Sequence, residues 1–362
     1  PSVAPPTPAP VRTPPPVASG CSGAPPTGTI AANFPVALAF APDGRLFWAE
    51  RSGVVRVWQN GQAKLFADVS GGTSTSGERG LLGLAISPTF ASDHYVYAFQ
   101  SLASGSAQQV VRWTDDCHGD SSNLTVVVPN LPAGGDCCHK GGRVAFGPDG
   151  KLYVTLGDEH SSSGQGNPPA QDWSSVLGKV LRYNPGGGVP ADNPIAGNPA
   201  WAKGLRNMFG IAFKPDGTTV ITNNGPSGDA GTPCGSCGDE VITIARGGTY
   251  QWPYCWGYSH VISPYTSCGG QPGPDYSAEG GPYAKNSPFF VAPTGITWVD
   301  GSGPAALRDH FVFCEQSPGH IDLLTGYHSA ADTGIGGCSL DVKQGTDHAV
   351  YYSDSGHIYR QG

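Results

Sequence analysis

One phrase recurs along the chain and limits what it can fold into. "ALAFAPDGRLFWAERSGVVRVW" (37–58), "RVAFGPDGKLYVTLGD" (143–158) and "FGIAFKPDGTTVITNNG" (209–225) each run from an apolar strand through a Pro-Asp-Gly turn into a second apolar strand. "LGLAISPTFASDHYVYAFQS" (82–101) repeats the same half-module, and "TGITWVDGSGPAALRDHFVFCE" (294–315) and "LDVKQGTDHAVYYSDSGHIYRQG" (340–362) are looser copies. The turn prolines Pro42, Pro88, Pro148 and Pro215 lie 46, 60 and 67 residues apart. A hairpin module returning every ~40–50 residues, with insertions, is the pattern of a β-propeller, because each blade buries its faces only against its neighbours and the set must close into a ring. Six copies predict an all-β, six-bladed propeller over residues 30–362. No capped amphipathic window of three turns occurs, and a β-sandwich accounts less well for the repeated Phe-x-Pro-Asp-Gly phrase.

Composition agrees with this reading and narrows the setting. The 54 glycines and 34 prolines among 362 residues approach a disordered composition, but 38% hydrophobic and 10% aromatic residues furnish a core. A net charge of −8 leaves no basic stripe for nucleic acid or an anionic membrane. No apolar run approaches the ~20 residues of a membrane span. Ten cysteines with a single methionine point to an oxidising compartment, secreted or at the cell surface, with most cysteines paired. The pair in "CGSC" (234–237) reads as a loop disulfide. Residues 1–29 are Pro-rich and read as an extended tether, a means of cell-surface association. The chain begins at Pro1, so a signal peptide is expected to have been removed.

The stretch "CCHKGGRVAFGPDGKLYVTLGDEH" (137–160) carries the chemistry. His139 stands at one end of a hairpin and Asp158 at the other. A carboxylate on one imidazole nitrogen fixes the tautomer and leaves the other nitrogen free as a base. Local sequence alone favours a structural histidine hydrogen-bonded in a loop. The adjacent Cys137 and Cys138 either bond to each other or to distant partners such as Cys117.

Six phrases occur in an order that resembles one family: "GERGLLGLAISPTF", "HKGGRVAFGPDGKLYVTLGD", "LGKVLRYNPGG", "GLRNMFGIAFKPDG", "GDEVITIARGGTYQWPYCWG" and "APTGITW". It is that of the soluble pyrroloquinoline-quinone-dependent sugar dehydrogenases, and the likeness runs from about residue 30 to 326. It implies a six-bladed propeller that oxidises an aldose or related sugar and passes electrons to an external acceptor. It further implies that His139 is the base that takes the sugar C1 hydroxyl proton while hydride passes to the quinone, with Asp158 its orienting acid. Arg206 and Asn207 match the pair facing the quinone oxygens. The Gly225 and Pro226 carbonyls match the holders of the cofactor's calcium, and Glu240 with the Tyr250 carbonyl matches a structural calcium site.

The chain departs from the family where charge matters. Glu78 replaces a glutamine beside the cofactor, and Cys138 replaces an aspartate before the base. The family lysine falls in "CEQSPGH" (314–320), near Ser317, where there is none, and two family arginines fall near Cys338 and Leu340. Three cationic contacts to a tri-anionic quinone are therefore missing, which weighs against its binding; Lys140 and Lys343 are the local candidates to replace them. A non-catalytic propeller that binds a glycan or a protein is the rival reading. A calcium-dependent lactonase, drawing on Glu78 and Asn207, is a weaker one.

Overall fold

The Pro-Asp-Gly turns close as the phrase requires. Ala41 N–H donates to the Arg45 carbonyl at 2.9 Å, Gly147 N–H to Lys151 at 3.0 Å and Lys214 N–H to Thr218 at 2.8 Å. The turn glycines Gly44, Gly150 and Gly217 have φ of 98°, 70° and 93°, a region open to glycine at little cost. In the fourth copy a short helix, Phe90–Asp93, takes the place of the turn and ends on His94 at φ 57°.

The computed structural model describes residues 21–135, 137–161, 166–226, 238–278 and 292–362. Among them six four-stranded antiparallel sheets form the blades of a β-propeller. Blade 1 is Pro35–Phe40, Leu46–Glu50, Val54–Gln59 and Gln62–Asp68. Blade 2 is Leu81–Ile86, Tyr95–Ser101, Ala107–Asp115 and Ser121–Pro132. Blade 3 is Gly141–Phe146, Leu152–Leu156, Lys179–Tyr183 and Ala200–Lys203. Blade 4 is Gly210–Phe213, Thr219–Asn223, Glu240–Ile244 and Tyr276–Ser277, with a small ribbon, Cys255–Trp256 and His260–Val261, in its outer loop. Blade 5 is Pro293–Val299, His310–Glu315, His320–Gly326 and Ser329–Gly336. Blade 6 takes Asp341–Gln344, Val350–Ser353 and His357–Gln361 from the end of the chain, and its outermost strand, Ile30–Ala31, from near the start.

That last pairing, Ile30 opposite Ile358 and Ala31 opposite His357, closes the ring. The first strand of each blade lies against the first strand of the next, and that of blade 6 against that of blade 1. The apolar faces between blades make the core. In blade 1, Phe47, Val55 and Val57 are fully buried, as are Val96 and Phe99 in blade 2. No helix among the described residues is long and apolar enough to cross a membrane.

Disulfides brace this frame. Cys21 bonds to Cys117, Cys255 to Cys268 and Cys314 to Cys338, while Cys137 and Cys138 bond to each other. Cys117, weighed as a partner for the vicinal pair, is thus taken by Cys21. Gly23 N–H donates to the Asp43 carbonyl and Tyr351 Oη to that of Pro26. Residues 21–29, expected to belong to the tether, therefore lie against the propeller. Residues 1–20 and the pair Cys234 and Cys237 are outside the described residues.

Blade 5 holds an acid pair that no motif in the chain announces. Glu315 and Asp322 are buried side by side, and both Glu315 oxygens and Asp322 Oδ1 meet no donor among the described residues. Burial, then the hydrogen bond and the charge of Asp322, push the Glu315 carboxyl far up, and burial pushes Asp322 up too. Folded Glu315 therefore keeps a proton that the unfolded chain sheds above about pH 4.3. Stability is full below that pH and falls as pH climbs toward the folded value. Glu315→Gln should accordingly raise stability at pH 8 by about 1–3 kcal/mol and change it little at pH 4; denaturant melts at the two pH values measure this.

Candidate active site

The hairpin of blade 3 brings base and orienter together. His139 immediately precedes the first strand and Asp158 follows the second, and the antiparallel register sets Gly141 opposite Leu156. His139 Nδ1 lies 2.6 Å from Asp158 Oδ1, and both residues are buried. Asp158 is held in turn. Its Oδ2 accepts from Trp252 Nε1 at 2.8 Å, its Oδ1 from the His160 N–H at 3.2 Å, and its own N–H donates to the Arg206 carbonyl. A carboxylate so occupied orients an Nδ1–H donor and leaves Nε2 of His139 as the basic nitrogen. Burial pulls the His139 pKa down; the hydrogen bond it donates to Asp158 opposes this and the charge of Arg206 adds to it. The imidazole is thus kept neutral and able to accept a proton near pH 7.

Arg206 and Asn207 lie between blades 3 and 4. Their backbone N–H groups both donate to Asn223 Oδ1, at 3.0 and 3.1 Å. Asn223 Nδ2 donates to Glu240 Oε2 at 2.7 Å, and Gly257 N–H donates to Glu240 Oε1. Arg206 Nη1 reaches the carbonyls of Asn224 at 3.0 Å and Gly225 at 2.6 Å, with its guanidinium 5.2 Å from the Trp252 ring centroid. Asn207 Nδ2 donates to Glu78 Oε2, and its Oδ1 accepts from Gly141 N–H. Glu78 Oε2 also holds the backbone of the base, accepting from His139 N–H at 2.7 Å and more weakly from Lys140 N–H at 3.4 Å.

These side chains line one cavity of about 330 Å³, bounded by Glu78, Cys138, His139, His160, Arg206, Asn207 and Asn224. It shares Glu78 and Asn224 with a second chamber of about 350 Å³, walled by Phe34, Val36, Leu82, Phe209 and Leu340. At the places where three cations were found wanting, Gln316, Ser339 and Leu340 line this chamber and Cys338 is tied up in a disulfide. The two lysines considered as substitutes do not face either cavity. Lys140 Nζ is buried against Glu159 and the Ala133 carbonyl, and Lys343 Nζ against Asp341 and the Ile296 carbonyl. Burial lifts the Glu159 carboxyl to about 8 against the pull of Lys140. A cation does arrive from blade 1, however. Arg51 lines the second chamber, its guanidinium 5.5 Å from the Phe34 ring centroid and anchored on the Arg79 and Thr75 carbonyls. Nothing local in the sequence marks Arg51, and the ring contact between His139 and His160, 3.7 Å between centroids, was equally unmarked.

The expected calcium ligands are spread over two places. The Gly225 carbonyl, next to the cavity residue Asn224, accepts from Arg206. Glu240 lies behind Asn223, with each oxygen meeting an N–H donor, and the Tyr250 carbonyl accepts from Gln171 Nε2 at 2.7 Å. Glu240 acts here through Asn223, holding the Arg206–Asn207 backbone in place.

A six-bladed propeller with a His–Asp pair and an Arg–Asn pair around one cavity defines a class, and comparison with known proteins agrees. The family model described as Glucose / Sorbosone dehydrogenase matches residues 32–358, and the chain belongs to that family. It is 30% identical to quinoprotein glucose dehydrogenase B of Acinetobacter calcoaceticus over 256 residues, 62% of this chain and 51% of the relative. It is 32% identical to the aldose sugar dehydrogenase of Escherichia coli (strain K12) over 245 residues, 63% of this chain and 61% of the relative. The matched region thus spans between half and three-fifths of these curated relatives. Among solved structures, the PQQ-bound form of aldose sugar dehydrogenase from Streptomyces coelicolor superposes with a TM-score of 0.72 at 24% identity, over 93% of this chain and 99% of that one, a likeness of fold.

Asp158 is the group that holds the His139 pKa up against burial. Asp158→Asn should therefore move the His139 titration lower still, by about one pH unit or more, as followed by NMR of the imidazole Cε1–H.

Proposed function

We propose that this protein is a secreted, calcium- and quinone-dependent dehydrogenase that oxidises an aldose or related sugar. The observation that carries the reading is the His139–Asp158 pair opening into the same cavity as Arg206 and Asn207. Four disulfides among the described residues support an oxidising compartment.

The two adjoining chambers suit a flat, anionic group beside a polar sugar. The apolar walls offer a face for stacking, and Arg206 and Arg51 stand on different sides. Asn224 Oδ1, buried at the junction, meets no donor among the described residues, an oxygen suited to a ligand's donor or to a hard cation. Arg206, Asn207 and Arg51 would hold pyrroloquinoline quinone, with calcium on the Gly225 and Pro226 carbonyls once Arg206 turns toward the cofactor. When bound, the quinone supplies the acceptor for the two electrons leaving the sugar, which an external acceptor then collects. His139 Nε2 takes the hydroxyl proton of the sugar, and Asp158 and Trp252 hold the ring so that the imidazolium formed stays paired. With three family cations absent, a non-catalytic propeller that binds a glycan or a protein is the second reading, and quinone binding separates the two.

Isothermal titration of the protein with pyrroloquinoline quinone and calcium, followed by sugar-dependent dye reduction, tests the proposal. His139→Ala should lower kcat by roughly 10²–10⁴-fold with little change in quinone affinity, whereas Arg206→Ala should weaken quinone binding itself. The acid limb of the kcat/KM profile should fall below the ordinary imidazole value of about 6.5, since the base must be deprotonated. Absence of any quinone binding in calcium would overturn the dehydrogenase reading and leave the binding propeller.

A further inference from the structure

The bond between Cys137 and Cys138 has no evident part in holding the propeller together. A disulfide stabilises chiefly by closing a loop in the unfolded chain, so its effect grows with the separation it spans. The other three span 96, 13 and 24 residues; this one spans one. Its consequence is local, and what it adjoins is the base.

Glu78 grips the chain at the ring and just after it. Its backbone N–H donates to the Cys137 carbonyl at 2.8 Å, and its carboxylate accepts from the His139 N–H at 2.7 Å. That carbonyl sits on the peptide bond inside the disulfide ring, and only Cys138 separates it from that N–H. Gly77 leaves room for the approach, since a Cβ there would lie 2.3 Å from the Cys137 carbonyl oxygen. His139 itself sits at φ 59°, a conformation a residue with a side chain keeps only when its surroundings impose it. The ring, the Glu78 grip, the Asp158 bond and the His160 ring contact all constrain the base, and of these the disulfide ring is the covalent one. Cys138 also lines the cavity. Exposure sets the pair apart. Cys137 is exposed and Cys138 half-buried, whereas Cys21, Cys117, Cys255, Cys314 and Cys338 are buried, so each of the other three bridges has at least one buried member.

We propose that the Cys137–Cys138 disulfide is a positioning element for His139, and that reduction of this one bridge by a soluble dithiol releases the base from its working geometry. The dithiol gives up two hydrogens and becomes a cyclic disulfide, while each cysteine sulfur gains one and the S–S bond between them breaks. Only the turnover arm of the test rests on the dehydrogenase reading; the geometry arm does not.

The test treats the full chain with graded dithiothreitol and maps free thiols by differential alkylation and mass spectrometry. Cys137 and Cys138 should be labelled first, with the melting temperature nearly unchanged. At that point the His139 titration, read by NMR against the groups that face it (Asp158, His160, Arg206 and Glu78), should move up toward the ordinary imidazole value as the ring becomes solvated. Dye-linked kcat should drop at least tenfold, with quinone affinity changed less than threefold, and both should return on reoxidation with oxidised glutathione. The Cys137→Ser/Cys138→Ser protein should show the same titration and turnover without reductant and no further response to it; should that variant fail to fold, the reduced wild type decides. An unchanged His139 titration in the reduced protein overturns the proposal, as does labelling of the buried bridges before this one. Absence of turnover in the oxidised protein would instead count against the dehydrogenase reading, and the titration would still judge the ring.

Discussion

A propeller has no central strand pair, so something else must hold its inner strands at a common distance from the axis. In this protein that contact is the Arg143 guanidinium. Nη2 donates to the Leu340 carbonyl at 2.8 Å, Nη1 to the carbonyls of Val36 at 2.5 Å and Leu82 at 3.4 Å, and Nε to that of Phe209. These oxygens come from blades 1 and 2 and from the segments entering blades 4 and 6, while Arg143 belongs to blade 3. One planar cation with five N–H groups in a fixed fork can serve four carbonyls at once, as a lysine could not. The cost is a buried charge: burial pulls the guanidinium pKa down, and Asp341, 3.6 Å away, pulls it back. Asp341 also accepts from Leu38 N–H and Lys343. The cavity beside His139 adjoins the chamber that Arg143 also lines, so the geometry of the site and of the ring share one residue.

The repeat was legible because its turns demand glycine at positive φ and its two inner strands demand near-continuous apolar runs, both of which are local. The closing strand was not. Ile30–Ala31 is two residues long, and its only claim to be a strand is a partner more than three hundred residues away. Within the site, His139 and Asp158 were legible because they end two strands of one hairpin, where register alone brings them together. Glu78 was found from the resemblance and does line both cavities, but the hold of its Oε2 on the backbone N–H groups of His139 and Lys140 depends on the fold and left no mark in the sequence. Trp252, Arg51 and His160 left no trace, since an indole, a guanidinium and an imidazole in loops have many roles and only the closed ring selects one.

The substitutions relative to the family also read differently in three dimensions. With Gln316, Ser339 and Leu340 on one wall, the second chamber has no lining lysine or arginine on the side of blades 5 and 6, and Arg51 stands on the side of blade 1. A carboxylate of a bound anion would meet its counter-charge across the channel from the family position. Buried acids, Glu315 and Asp322, stand in blade 5, on the side without those cations.

The latch between the chain's ends sets the order in which this molecule can be completed. Blade 6 lacks its outer strand until Ile30–Ala31 meets His357–Gln361, a strand made after those of the other five blades. The Cys21–Cys117 bridge needs nothing beyond blade 2. Once oxidised, it holds the early strand against blades 1 and 2 while four blades are still to form. An open crescent with its first strand already tethered shortens the search that ends assembly, and it keeps the edge that would otherwise capture another chain close to the place it will finally fill.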